Sequence, residues 1–229
     1  MYHVTSRGVA RRAIFRSDDD RRTFLHSLTG VVMDQTWRCH AYCLMPNHYH
    51  LLVDTPNADL PEGMRDLNSG YATRFNTAHE LDGHVFQGRY GARLVRSQEH
   101  ALQVARYIPL NPVRARLCDH PAGWAWSNYR AVVGLVRAPA FLNTRTTLAW
   151  FGDDSSAAAR YGEFVARGHA VLDPEAAALT ELLGSGRLAD VRLAHVGYGY
   201  SIRKIASHMG IHHSTLARRL RATGAPKGV

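Results

Sequence analysis

Residues 45–53 read MPNHYHLLV. Pro46 and Asn47 are turn formers, and they stand between two strand-like runs, WRCHAYCLM at 37–45 and HYHLLVDT at 48–55. The pair reads as a β-hairpin whose second strand opens with two histidines. Successive side chains of a strand point to opposite faces, so His48 and His50 share a face while Tyr49 points away. Two imidazoles placed this way can bind one thing together.

The flanking sequence supplies the rest of a sheet. YHVTSRG at 2–8 alternates like a strand, and SDDDRRTFLHSLTGVVM at 17–33 has a serine cap, an acidic first turn and helical apolar spacing. Residues 60–79 carry helical spacing at Met64, Leu67, Tyr71 and Phe75. VFQGRYGARLV at 85–95 alternates as a further strand, broken by Gly88 and Gly91. SQEHALQVARYI at 97–108 opens with a serine cap and an acid in the first turn, which puts Tyr107 near the far end of a helix. The order strand, helix, hairpin, helix, strand, helix predicts an α+β fold. It fits one antiparallel sheet flanked by helices better than a doubly wound parallel sheet.

Composition narrows the classes open to the chain. It has 229 residues, 45% of them hydrophobic, enough for one sizeable domain and a smaller appendage. No run approaches the roughly 20 apolar residues of a membrane span, and MYHVTSRGVARR lacks the apolar core of a signal peptide, so a cytoplasmic protein is expected. Cys39, Cys43 and Cys118 are three, with no CxxC pair, and read as reduced structural thiols.

The net charge of +9 is unevenly spread. Residues 1–152 hold 18 basic against 12 acidic side chains, residues 153–195 hold 4 against 7, and residues 196–229 hold 6 against none. A basic body and a basic tail suit a polyanion such as nucleic acid, although only Lys204 and Lys227 are lysines and an arginine bias also arises from genome composition. The alanine-rich, acidic stretch 140–195 reads as a helical connector between a domain at 1–139 and a tail at 196–229. In that tail, after GYGY at 197–200, SIRKIASHMGIHHSTLARRLR at 201–221 offers a serine cap, a short helix to Met209, a turn at Gly210 and a second helix. Ala206, Gly210 and Leu216 fall where a helix-turn-helix needs a small, a turn and an apolar packing residue. Arg203, Lys204, His213, Ser214, Arg218 and Arg219 are its candidate DNA contacts.

A second motif, RYIPLNPVRARL at 106–117, sets Tyr107 and Asn111 four residues apart. On a helix these share one face, provided the helix reaches Asn111 against the restriction that Pro112 places on the preceding residue. Taken alone, Tyr107 reads as a packed aromatic. Together, MPNHYHLLV, VFQGRY and RYIPLNPVRA resemble the HUH-type single-tyrosine transposases, in particular the REP-associated tyrosine transposases, over residues 1–135.

The resemblance implies a ferredoxin-like (RRM-like) antiparallel sheet with flanking helices and a divalent metal, Mg²⁺ or Mn²⁺, held by His48, His50 and Asn111. It implies Tyr107 as the nucleophile toward single-stranded or hairpin DNA, with a 5′-phosphotyrosine intermediate. The relatives are short and pair into dimers, so the long tail leaves monomer and homodimer both open. A phenol of pKa near 10 is a weak nucleophile, and a metal beside it supplies the polarised, oriented phosphate it needs. Asn111 stands where a second tyrosine would be, which favours a single-tyrosine mechanism. Arg7, Arg89, Arg106 and Arg114 are candidate phosphate contacts rather than catalytic groups. Two other classes compete: a DNA-binding protein of the same fold without catalysis, and a zinc hydrolase, which would want a third histidine or an acid in place of Asn111.

Overall fold

The computed structural model describes residues 1–170, 179, 183, 188–192, 194 and 202–222. They fall into two compact units, Met1–Ala170 and Val171–Val229.

In the first unit, four strands, β1 (Tyr2–Arg7), β2 (Arg38–Met45), β3 (His48–Asp54) and β4 (Gly91–Leu94), form a sheet in the order β2-β3-β1-β4. Every pairing is antiparallel. Three long helices accompany them: α1 (Asp18–Asp34), α2 (Leu60–His79) and α3 (Gln98–Arg114). The expected α+β class is what the chain adopts.

Both faces of the sheet are covered, and alternation along β3 divides the cores. Tyr49, Leu51 and Val53 join Val4, Tyr42 and Leu44 against Phe24 and Leu28 of α1 and Met64, Leu67 and Tyr71 of α2. Leu52 joins Ala41, Cys43 and Met45 against Ala101, Val104, Ala105 and Ile108 of α3. Cys39 lies in the first core and Ala41 in the second, which unbroken alternation forbids; the register shift between them, at His40, resolves this.

Local chemistry explains the helix starts. Ser17 Oγ accepts from Asp20 N while Asp20 Oδ2 accepts from the backbone N–H of Ser17 and Arg16 at 2.9 and 2.7 Å, a reciprocal capping box. Asp20 Oδ1 also meets His79 Nε2 at 2.8 Å, tying the start of α1 to the end of α2. Ser97 Oγ caps α3 by accepting from His100 N at 3.2 Å.

One of these elements needs correction. The strand expected over 85–95 is shorter: only Gly91–Leu94 pairs continuously with β1. Val85 and Gln87 still hydrogen-bond to the chain around Arg7 and Val9, but the ladder is interrupted before Gly91, where a Cβ would lie 3.1 Å from Thr5 Oγ1. The helix opened by Ser97 runs through Pro109 and Pro112 to Arg114, so it includes Asn111, as a face shared with Tyr107 requires.

Beyond the sheet, α4 (Tyr129–Val132), α5 (Thr144–Ala149) and α6 (Ala157–Ala166) belong to the same compact unit. Buried Asn128 links them: its Oδ1 accepts from Tyr42 N at 3.2 Å and its Nδ2 donates to Tyr161 Oη at 3.1 Å. Asn143 N donates to Cys39 O at 2.7 Å. The contact boundary of this unit thus falls after Ala170, whereas the sequence placed the connector's start at 140.

The second unit contains α7 (Leu188–Arg192), α8 (Ile202–His208) and α9 (His213–Ala222) around buried Val191, Ile205, Ala206 and Leu216. Gly210, at φ 65°, makes the turn between α8 and α9 in a region that favours glycine. The expected cap Ser201 and the GYGY stretch lie outside the described residues, as does much of 171–200.

Asp20 yields a stability prediction. Burial alone would raise its pKa, but hydrogen bonds from His79 and from the backbone of Ser17 and Arg16 outweigh this and hold it below the usual carboxylate value. A depressed folded pKa stabilises above the unfolded value of about 3.9 and loses that stabilisation as pH falls through the folded value. Asp20→Ala is expected to cost about 1–2 kcal/mol in urea unfolding at pH 7. The gap from wild type should narrow below about pH 4, as the wild-type carboxyl becomes protonated.

Candidate active site

His48 and His50 lie on the α3 face of β3, as alternation requires, with ring centroids 5.1 Å apart. Tyr49 points the opposite way, fully buried, and its hydroxyl donates to Asn68 Oδ1 at 2.6 Å. Its burial raises its pKa, so it is a core residue.

The ring of Tyr107, carried by α3, stands edge-on to His50 with centroids 5.4 Å apart and planes at 90°. The histidine pair and the tyrosine, read from motifs more than fifty residues apart, thus converge on one face of the sheet.

Each histidine has one ring nitrogen engaged. His48 Nδ1 meets Asn47 Oδ1 at 2.7 Å, so it donates and leaves Nε2 as a lone pair. His50 Nδ1 meets His3 Nε2 at 3.0 Å, and His50 Nε2 is buried with no hydrogen-bond partner among the described residues. Burial, reinforced by the Arg7 charge, pushes His48 down to about 4. Burial, with His3, His48 and Arg7 adding to it, holds His50 well below the usual histidine value. Two neutral imidazoles, one with an orphaned buried nitrogen, are the donor set that a divalent cation takes. Among the described residues no group of three His, Cys, Asp or Glu side chains stands together as a metal site.

Asn111 lies one turn beyond Tyr107 and is buried. A proline at 112 has no N–H for the carbonyl of Ile108, the bond a helix would otherwise make there. Asn111 Nδ2 occupies that gap, donating to Ile108 O at 3.3 Å and to Tyr107 O at 2.9 Å. The amide nitrogen is thus spent on holding α3 together past Pro112.

The four arginines differ in their surroundings. The Arg114 guanidinium lies over the Tyr107 ring at 5.1 Å. Exposed Arg7 is opposite His48 in the β1–β3 register. Arg89 is exposed on the loop before β4. Arg106 stacks on Phe164 at 4.6 Å and bonds Gln103, so it serves the packing of α3 on α6.

The tail candidates lie in the other unit. Arg203 and Lys204 are on α8, exposed and half-buried. On α9 His213 is half-buried while Ser214, Arg218 and Arg219 are exposed, and Leu216 is buried. Ser214 is already engaged: its Oγ lies 2.8 Å from His212 Nδ1 at the start of the helix.

Sequence reading missed His3 and Asn47. Asn47 was read only as a turn former. His3 was within reach of the alternation argument, because it shares a face with Thr5 and Arg7, but the pairing of β1 with β3 is a long-range fact.

Comparison with known proteins follows the same geometry. Residues 1–111, which contain both histidines, Tyr107 and Asn111, match the family model of IS200-like transposases. The fold is similar to that of a REP-associated tyrosine transposase bound to a REP hairpin, with 19% identity, TM-score 0.51, and coverage of 62% of this chain and 84% of that one. A protein named as a transposase from Deinococcus radiodurans R1 is 21% identical over 47% of this chain and 86% of its own, with TM-score 0.36. No curated protein matches the sequence. The resemblance read from the motifs thus has a family model and a common fold behind it.

The double role of Asn111 gives a test. A carboxylate cannot donate to Tyr107 O or Ile108 O, so Asn111→Asp should lower stability by about 1–3 kcal/mol in denaturant titration. Asn111→Gln, which keeps the donor, should cost less.

Proposed function

We propose that the chain cleaves and rejoins single-stranded DNA through Tyr107, as a transposase acting on REP-like hairpins. The observation that carries this reading is the Tyr107 ring edge-on to His50 at 5.4 Å, beside His48 and within the segment matched to the transposase family.

His48, His50 and the Asn111 amide oxygen would hold Mg²⁺ or Mn²⁺. Bound there, such an ion polarises and orients a scissile phosphate. The protein does the rest. Asn47 holds His48 in its Nδ1–H tautomer. α3 carries Tyr107 to the phosphate, and Arg114 over its ring, with Arg7 beside His48, brings positive charge to the phosphate and to the phenolate that forms.

Attack forms a bond from Tyr107 Oη to phosphorus and breaks the bond to the 3′ oxygen. Overall the phenolic proton is exchanged for one on the departing oxygen, leaving a 5′-phosphotyrosine and a free 3′-hydroxyl. The ester energy is conserved, so a 3′-hydroxyl of another strand reverses the step and joins DNA without a nucleotide cofactor. Tyr49 is no substitute, because it is turned into the opposite core.

The basic pair α8–α9 is proposed to add DNA affinity as a helix-turn-helix, with Arg203, Lys204, His213, Ser214, Arg218 and Arg219 toward the phosphates or a groove. The two-helix geometry, the Gly210 turn and the buried Ala206 and Leu216 support it. The catalytic residues are proposed to lie within 1–139, while residues 140–170, read from the sequence as the start of a connector, pack in the same compact unit. No helix among the described residues is long and apolar enough to cross a membrane. The competing reading is a DNA-binding protein of this fold without catalysis.

Two outcomes are expected. With labelled hairpin DNA and Mn²⁺, wild type forms a denaturant-resistant adduct; Tyr107→Phe forms none and binds the hairpin with nearly unchanged affinity. Persistence of the adduct would reveal another nucleophile, and its absence from wild type would favour the non-catalytic reading. Removing residues from 197 onward should weaken DNA binding and lower the slope of log affinity against log salt by roughly one unit per lost phosphate contact, with cleavage retained at saturating protein. An unchanged slope would count against a DNA-binding tail.

A further inference from the structure

His3 is only 3% exposed, on the strand next to the histidine pair. Thr5 is the register partner of His50, so His3 approaches His50 diagonally across β1 and β3, on the same face. The two rings stack at 5.2 Å with planes 22° apart, and His3 Nε2 lies 3.0 Å from His50 Nδ1. His3 also stands edge-on to Tyr107 at 6.0 Å.

One proton occupies the bond between these nitrogens, and its owner decides what His50 can do. If His3 Nε2 donates, a neutral His50 carries its own proton on Nε2, a buried N–H without an acceptor, at a cost of about 1–3 kcal/mol. If His50 Nδ1 donates, Nε2 is instead a lone pair. Orphaned buried N–H groups are rarer than under-satisfied acceptors, and a lone pair at this atom is what a cation needs.

We infer that His3 is a positioning residue: by accepting from His50 Nδ1 it fixes the His50 tautomer and ring plane so that the unpartnered Nε2 is presented as a metal ligand toward Tyr107. His48 obtains the same service from Asn47, so each imidazole has its own holder, one from a turn and one from the neighbouring strand. The inference rests on the metal reading of the histidine pair, and its test separates the two.

The test uses the full chain and reads binding rather than turnover. Mn²⁺ is titrated into wild type, His3→Phe and His3→Gln, with free Mn²⁺ followed by electron paramagnetic resonance. Phe keeps a stacked ring without an acceptor; Gln places an amide oxygen at similar reach. Loss of an outer-shell partner of this kind typically weakens metal binding 10–100-fold. His3→Phe should show a loss of that size, and His3→Gln should stay within a few-fold of wild type. Equal affinity of His3→Phe and wild type, or equal losses in both variants, would overturn the positioning role. Absence of Mn²⁺ binding by wild type itself would instead remove the metal reading. A second measurement needs no variant: long-range ¹H–¹⁵N spectra of the metal-free wild type should place the His50 proton on Nδ1, and a proton on Nε2 would overturn the inference directly.

Discussion

The two-residue period of β3, with both faces of its sheet buried, is the constraint on which the molecule depends. Tyr49, Leu51 and Val53 fill the core under α1 and α2, while His48, His50 and Leu52 face α3. A register slip by one residue would exchange these sets, drive two imidazoles into an aromatic core and turn Tyr49 toward Tyr107. The bulky, fully buried Tyr49, packed on Phe24 at 4.6 Å, makes such a slip costly. The core on one face therefore holds the chemistry on the other.

The second requirement falls on α3. It must be apolar toward the sheet, through Ala101, Val104, Ala105 and Ile108, and still carry Tyr107 and Asn111 past two prolines. Small residues let the helix lie close to Ala41 and Cys43. The Asn111 side chain supplies the donor that Pro112 lacks. A residue proposed to serve the chemistry is thus also what keeps the helix intact at that point, so a variant there changes two properties at once.

Much of this was legible in the sequence because it rests on short-range periodicity. The hairpin, the shared face of His48 and His50, the Ser17 and Ser97 caps and the spacing of Tyr107 and Asn111 each need fewer than a dozen residues of context. What was not legible depends on distant partners. Which strand lies beside β3 decides that His3 reaches His50, and nothing local in YHVTSR announces it. The extent of β4 is set by its pairing with β1, a strand distant in sequence. The passage of α3 through Pro109 and Pro112 runs against local preference and is settled by packing on the sheet and by an amide that replaces a missing N–H.

The central claim is that the hydroxyl facing the histidine pair, and no other, becomes joined to DNA. The most direct measurement is to trap the adduct of wild type with a single-stranded hairpin, digest protein and DNA, and locate the nucleotide by mass spectrometry. The account predicts a nucleotide 5′-phosphate on the peptide containing Tyr107. Attachment at Tyr49 or Tyr90 would contradict it, because both pack with the core on the opposite face of the sheet.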